Sequence, residues 1–83
     1  MAPFTLDDLR RILREGAGDS GALDGDIAEV SFSDLGYDSL AVLELSSRVE
    51  REFHITISDD VMQDQRTPGA VVAYVNSLLA TSA

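Results

Sequence analysis

The sequence predicts an all-α fold, a small helical bundle of three main helices and one short helix, with a long ordered loop after the first helix. Apolar residues recur at helical spacing in three separate segments, which is the primary signal for amphipathic helices. The only stretch of alternating β-branched residues, at 54–57, is four residues long and has no second strand to pair with. With 83 residues and no repeat or linker, residues 1–83 are predicted to form a single domain.

The first helix is predicted to begin at Thr5, a good N-cap residue, and Asp8 three residues later resembles the acid of a capping box, although it is shorter. Its apolar stripe consists of Leu6, Leu9, Ile12 and Leu13. Gly16 and Gly18 are expected to end the helix. Three arginines fall off the stripe and are predicted to form a solvated face: Arg10, Arg11 and Arg14.

Residues 16–36 form a long connection, which would be unusual in a compact domain unless it were held in place. Its apolar residues are spaced so that they can reach the core: Leu23, Ile27, Val30, Phe32 and Leu35. We therefore expect an ordered loop that includes a short turn of helix.

The second helix is predicted over about 39–53, with Asp38 or Ser39 at its start. A rotation of about 100° per residue sorts its side chains into two faces. The core face contains Val42, Leu45, Val49 and Phe53, and the outer face contains Leu40, Leu43, Glu44, Ser47, Glu50 and Arg51. The outer face therefore mixes leucines with charged residues.

The last part of the chain is predicted to hold a short acidic turn over 59–62, capped by Ser58, and a final helix. Thr67 is the N-cap of that helix, and Pro68 occupies its first position, where a missing N–H costs nothing. The apolar stripe consists of Val71, Tyr74, Val75, Leu78 and Leu79.

Charge is the strongest feature of the composition. Fifteen acidic residues face six arginines, with no lysine, giving a formal net charge of −9. Such a field repels phosphate backbones and anionic membranes, so neither nucleic acid nor a membrane is expected as a partner, whereas basic protein surfaces are attracted. The simpler alternative is that acidity only keeps the domain in solution. The chain has no cysteine and no long apolar run, and a cytosolic location is expected.

Catalysis and metal binding are not predicted. The only histidine, His54, follows the end of helix two, where a positive charge suits the helix dipole, and the residues after Ser39 do not match a G-x-S-x-G elbow. Asp24 and Asp26 resemble the start of a calcium loop, but the positions after them lack the required acid and glycine. A solvated acidic loop is the favoured interpretation.

One segment, residues 34–40, suits a specific chemical task. A serine at the start of a helix presents its hydroxyl at the positive end of the helix dipole, beside unpaired N–H groups. A phosphate esterified to Ser39 would be favoured by those donors, and Gly36 lets the chain turn tightly and keeps bulk away. From position alone, the favoured alternative is that Ser39 only caps the helix.

This segment, Leu35-Gly36-Tyr37-Asp38-Ser39-Leu40, resembles the attachment motif of acyl and peptidyl carrier proteins, and residues 34–44 are similar to carriers of type II aromatic polyketide synthases. The resemblance covers nearly the whole chain, including Asp7-Asp8-Leu9-Arg10-Arg11, Ile57-Ser58-Asp59-Asp60-Val61, Thr67-Pro68 and Val75-Asn76. It implies the same helical bundle. It also implies that a transferase attaches 4′-phosphopantetheine from coenzyme A to Ser39. Asp38 would help that transferase to orient its metal and phosphates. The thiol of the arm would hold acyl groups as thioesters.

The resemblance further implies a discrete, monomeric carrier that holds malonyl units and the growing poly-β-ketone. Its implied partners are a phosphopantetheinyl transferase, a malonyl acyltransferase, a ketosynthase with its chain-length factor, a ketoreductase and a cyclase or aromatase. The residues expected to dock these enzymes are an apolar anchor with a charged rim: Leu40, Leu43, Glu44, Glu50 and Arg51. The alternatives are a fatty acid synthase or modular-synthase carrier and, from a different class, an unmodified acidic helical adaptor for a basic protein.

Two residues depart from the expected pattern. Gly69 stands where related carriers often have a larger or charged side chain, and it is predicted to weaken the start of the last helix. Asn76 is polar near an apolar stripe and is predicted to be a surface residue, with a hydrogen bond to a poly-β-ketone cargo as the alternative.

Overall fold

Four α-helices form in the computed structural model, which describes residues 3–17 and 25–81. They are α1 (Leu6–Ala17), α2 (Ser39–Phe53), α3 (Asp59–Asp64) and α4 (Pro68–Thr81). The described residues contain no strand, and residues 55–58 are an extended connection, so the predicted all-α class of three long helices and one short helix is confirmed. None of the helices described is long and apolar enough to cross a membrane.

The start of α1 is a reciprocal capping box. The hydroxyl of Thr5 accepts a hydrogen bond from the backbone N–H of Asp8, and the Asp8 carboxylate accepts one from Thr5 N–H, both at 3.1 Å. The helix continues through Gly16 to Ala17, so Gly16 lies inside its last turn; Gly18 falls outside the described residues. A Cβ at Gly16 would lie 2.8 Å from Nε of Arg48 in α2, so glycine leaves room for that side chain.

The arginines of α1 are more than a solvated face. Arg11 pairs with Glu15 on its own helix at 3.1 Å, and both of its terminal nitrogens donate to the Glu52 carboxylate of α2. Hydrogen bonding to Glu52 raises the pKa of the Arg11 guanidinium, although burial opposes the effect. Arg10 donates to Asp7 at 2.7 Å and to the carbonyl of Gly25. These side chains therefore join α1 to α2 and to the following loop.

The long loop is fixed to the rest of the fold by backbone hydrogen bonds at two points. Phe32 N–H donates to the Arg66 carbonyl at 2.9 Å, and Gly69 N–H donates to the Ala28 carbonyl at 2.8 Å. The predicted turn of helix is a hydrogen-bonded turn over 32–36 and not a separate helix. The loop adds Ile27, Phe32 and Leu35 to the core as predicted, Val30 is half-buried, and Leu23 lies outside the described residues.

Gly69 has a tertiary role that the sequence pattern did not indicate. A Cβ at this position would lie 2.7 Å from the Ala28 carbonyl oxygen, closer than real Cβ atoms approach backbone atoms. Glycine is therefore what allows the loop to approach and hydrogen-bond to the first turn of α4. The remainder of that turn is as predicted: Pro68 is the first helical residue, and Thr67 Oγ1 accepts a hydrogen bond from Ala70 N–H at 3.2 Å.

Asn76 corrects a prediction, because it is not a free surface residue. It is half-buried, and its amide makes two hydrogen bonds to the backbone of Phe4 in the segment before α1. The Phe4 ring is almost fully buried and meets Phe53 of α2 edge to face, with ring centroids 5.2 Å apart. The N-terminal segment is thus fastened to both α2 and α4.

The connection between α2 and α3 begins with an unusual backbone conformation. His54 is the C-cap of α2 and lies in the left-handed region, with φ of 56°. The half-buried Glu50 accepts a hydrogen bond from Ile57 N–H at 3.1 Å, so its side chain holds this connection against α2. Ser58 occupies the N-cap of α3 without making the predicted side-chain hydrogen bond, and α3 extends beyond residue 62 to Asp64.

The described residues form a single core cluster, to which the segment before α1, all four helices, the loop and the α2–α3 connection contribute. Its buried apolar members are Phe4, Leu9, Ile12, Leu13, Ile27, Phe32, Leu35, Tyr37, Val42, Leu45, Val49, Ile57, Met62, Val71 and Val75. The one buried polar side chain described is Ser46, which is 1% exposed and whose hydroxyl has no hydrogen-bond partner. Helical spacing places Ser46 on the core face, four residues after Val42 and three before Val49, but a serine does not count among the apolar residues that mark the stripe.

Candidate functional site

Ser39 is the first residue of α2, and it is exposed. The N-cap is Asp38, whose Oδ1 accepts a hydrogen bond from Ala41 N–H at 2.9 Å. The alternative that Ser39 serves only as the cap is therefore not supported, since Asp38 already satisfies one of the free N–H groups. The Ser39 hydroxyl is left available at the positive end of a 15-residue helix.

The turn before this serine is closed by a hydrogen-bond pattern that suits a glycine. Gly36 N–H donates to Ser33 O at 3.1 Å and Tyr37 N–H donates to Phe32 O at 2.9 Å, the two bonds of a Schellman motif. Gly36 has φ of 91°, a conformation that strains other residues. A Cβ there would meet nothing within 4 Å, so backbone conformation, and not crowding, requires the glycine. Tyr37 and Phe32 are both buried, which anchors the turn in the core.

A groove of about 410 Å³ lies beside Ser39. Its walls are the turn over 31–37, the start of α2, and the chain from Gln63 to Arg66 at the end of α3. The Gln63 amide nitrogen lies 3.5 Å from the Ser39 carbonyl oxygen. Hydroxyl, amide, guanidinium and apolar groups all line this groove, which suits an extended ligand with both polar and apolar parts. The sequence carries no signal for Gln63 or Arg66, because their position depends on how α3 packs.

The outer face of α2 is only partly as predicted. Leu40 is 73% exposed, and Glu44 and Arg51 are also exposed. Leu43 is half-buried, and Glu50 is engaged with Ile57, so neither forms part of a freely exposed rim. Three of the five residues predicted for docking are therefore exposed, and the other two are half-buried.

The exposed leucine borders a second groove, of about 360 Å³, between the end of α1 and the start of α2. Gly16, Ala41 and Glu44 also line it. Glu44 is held in place on this side by an ion pair with Arg48 at 3.2 Å. An apolar side chain from another protein could enter here and meet Leu40, with an acid at the edge.

The described residues contain no cluster of three or more acids, histidines or cysteines that could hold a metal ion. Asp26 is in the described part of the loop, and Asp24 lies outside it. Ser39 and its groove are therefore the most developed chemical feature of the described residues.

Comparison with known proteins agrees with this site. The family model described as "Phosphopantetheine attachment site" matches residues 7–75. The chain is 47% identical over 81 residues to the monensin polyketide synthase acyl carrier protein of Streptomyces virginiae, covering 96% of this chain and 92% of that protein. It is 42% identical over 85 residues to the granaticin polyketide synthase acyl carrier protein of Streptomyces violaceoruber, covering both chains completely.

Solved structures give the same result. The 3-oxo-butyl form of the acyl carrier protein from the actinorhodin polyketide synthase of Streptomyces coelicolor matches with a TM-score of 0.89 and 43% identity over the whole of both chains. The holo form of the actinorhodin carrier matches with a TM-score of 0.86 and 40% identity, covering 99% of this chain and 98% of that chain.

The fold and the matching family are those of carrier proteins, which hold a substrate for other enzymes and do not catalyse a reaction themselves. The chain belongs to the phosphopantetheine-bearing acyl carrier proteins of type II polyketide synthases. As such it works together with the enzymes of a polyketide synthase.

Proposed function

We propose that Ser39 is the residue that carries 4′-phosphopantetheine. The observation that carries this proposal is the exposed serine at the first position of α2, with Asp38 making the capping hydrogen bond and a groove of mixed polarity alongside. A phosphate on Ser39 Oγ would lie at the positive end of α2, where free N–H groups favour it. When bound, the group supplies a thiol that holds acyl chains as thioesters. The chain has no thiol of its own, because it contains no cysteine.

The residues around Ser39 position it and assist its modification. Gly36 and the Schellman motif fix the turn that presents the serine. The Asp38 carboxylate lies next to the modified residue, where it would help a transferase to orient its metal and phosphates. One Asp38 oxygen already accepts from Ala41, so the same side chain sets the start of the helix. Ser39 needs no activated hydroxyl, because the transferase supplies the base.

The cargo follows from the class of relatives. We propose that the arm holds malonyl units and then the growing poly-β-ketone, delivered by a malonyl acyltransferase and extended by a ketosynthase with its chain-length factor. A ketoreductase and a cyclase or aromatase would act on the chain afterwards. The predicted monomeric state and cytosolic location stay predictions.

Docking of these enzymes is proposed to use Leu40, Glu44 and Arg51, the residues of the predicted surface that are exposed. Leu40 would enter an apolar site on the partner, and the acid would meet a basic rim. A carrier must exchange among several enzymes, and small charge-steered interfaces allow rapid exchange.

Intact-protein mass spectrometry tests the attachment site. The purified chain, the variant Ser39→Ala and the control Ser47→Ala, which removes an exposed hydroxyl from the same helix, are each incubated with coenzyme A, magnesium and a broad-specificity transferase. A single phosphopantetheinyl adduct on the native chain and on the control, absent from Ser39→Ala, is expected. An adduct that survives in Ser39→Ala would place the arm elsewhere. No adduct on a folded native sample would favour the unmodified adaptor.

A further inference from the structure

Among the described residues, Arg66 is the only cationic side chain in the wall of the Ser39 groove. It is exposed and forms no ion pair with any carboxylate of the described residues. Three other arginines of this acidic chain do have such partners: Arg10, Arg11 and Arg48. An uncompensated arginine beside the attachment serine is therefore a distinct feature of this surface.

The backbone of Arg66 is held in a defined place. Its carbonyl accepts the hydrogen bond from Phe32 N–H at 2.9 Å, which joins it to the turn before Ser39. The next residue, Thr67, caps α4 and fixes the chain on the other side. The Arg66 side chain therefore extends from a backbone position that hydrogen bonds fix relative to the turn before α2.

Modification changes the charge of this groove. Before modification, its charged lining groups are Asp38 and Arg66. A phosphodiester on Ser39 adds a negative charge next to the Asp38 carboxylate, and like charges this close repel each other. A guanidinium offsets that repulsion, and its planar set of donors matches phosphate oxygens with two parallel hydrogen bonds.

We propose that Arg66 binds the phosphodiester that the modification introduces, with the Gln63 amide as a neighbouring donor. This inference rests on the proposed attachment of the arm at Ser39. This contact holds the root of the arm against the groove and leaves its thiol end free. Arg66 acts here as a positioning residue, since it touches the phosphate and not the reacting thioester.

Nuclear magnetic resonance on apo and holo forms tests the contact without measuring activity. Mass spectrometry first establishes one adduct on the native chain, on Arg66→Gln and on the control Arg51→Gln, which removes an exposed arginine from the outer face of α2. We expect the Nε–Hε signal of Arg66 to shift on conversion to the holo form and its exchange with water to slow. Raised salt should weaken both changes. The phosphorus signal of holo Arg66→Gln should differ from the native signal, whereas that of Arg51→Gln should match it.

The other possible outcomes distinguish failure of the Arg66 contact from failure of the attachment at Ser39. A single adduct with an Arg66 signal that is the same in apo and holo forms, or equal phosphorus shifts in both variants, overturns the contact and leaves the attachment intact. A shift of Arg66 that appears only on malonyl loading, and not with acetyl, would assign it to the cargo carboxylate and overturn the phosphodiester contact. No adduct on the native chain overturns both proposals.

Discussion

The side-chain amide of Asn76 makes hydrogen bonds to both backbone groups of Phe4: its oxygen accepts from the N–H at 2.8 Å, and its nitrogen donates to the carbonyl at 2.9 Å. One side chain thus satisfies the donor and the acceptor of a residue at the opposite end of the chain. Because Phe4 also packs against Phe53, this pair of hydrogen bonds holds together the N-terminal segment, α2 and α4.

Replacing Asn76 by aspartate should destabilise the fold. At neutral pH the variant Asn76→Asp exchanges the donor to the Phe4 carbonyl for a charged acceptor, which leaves two oxygens facing each other. We expect the free energy of unfolding to fall by about 1–3 kcal/mol in a urea titration. The neighbouring Ser77→Ala is the control and should stay within about 0.5 kcal/mol of the native chain. An Asn76→Asp chain as stable as the native one would show that the two hydrogen bonds contribute little.

Gly69→Ala changes the free energy of unfolding in opposite directions according to whether helix propensity or the contact with Ala28 dominates. Helix propensity alone predicts that alanine stabilises α4 by up to about 1 kcal/mol. The structure predicts the reverse, because the new Cβ would clash with the Ala28 carbonyl oxygen at 2.7 Å. We expect a loss of about 1–3 kcal/mol, as for other overpacked sites, and faster hydrogen exchange at the amide of residue 69.

The matched control for this substitution is Gly16→Ala. Its Cβ would meet only the flexible end of Arg48, which can move aside. This variant should therefore be neutral or more stable than the native chain by up to about 1 kcal/mol. Stabilisation by both substitutions would contradict the contact between the loop and α4.

His54→Gly should stabilise the protein. His54 is the only described non-glycine residue with positive φ, and it ends α2 in the conformation that glycine adopts most readily. We expect a gain of about 1 kcal/mol in thermal or urea unfolding. His54→Ala removes the same imidazole but keeps the Cβ, so it should give no such gain. Equal stabilisation by both variants would trace the effect to the ring and not to the backbone.

Glu44→Arg should weaken docking to the proposed ketosynthase partner without unfolding the domain. The residue is exposed beside Leu40, and reversal of its charge would repel a basic rim. We expect slower acyl transfer, with most of the loss seen at low salt, and an unchanged helical circular dichroism spectrum. Asp64→Arg makes the same charge change on α3 and is the control. Equal losses in both variants would indicate only a net-charge effect, and unchanged transfer rates in Glu44→Arg would contradict docking through this residue.

Features encoded by neighbouring residues were predictable from the sequence. The capping box of Thr5 and Asp8, the start of α4 at Pro68 and the start of α2 at Ser39 all depend on residues a few positions apart. The core stripes were also predictable, because helical periodicity alone decides which residues share a face.

The mistaken and incomplete predictions share a physical cause. Asn76 and Gly69 take their roles from partners far away in sequence, Phe4 and Ala28, and no local pattern identifies such partners. Glu50 was predicted to be exposed because it lies on the outer face of α2. Its position in the helix does not reveal that the α2–α3 connection packs against it through Ile57. Arg66 was missed for the same reason, since only the packing of α3 brings it beside Ser39.

The two hydrogen bonds that fasten the long loop, from Phe32 to Arg66 and from Gly69 to Ala28, bear on the order of events during synthesis. A ribosome makes Ser39 before it makes either Arg66 or Gly69. Until the chain has been extended past Gly69, these two backbone hydrogen bonds cannot both form, and the loop is held only by its contacts with α1 and the core. The surroundings of Ser39 therefore reach their final geometry only after the first turn of α4 has been made.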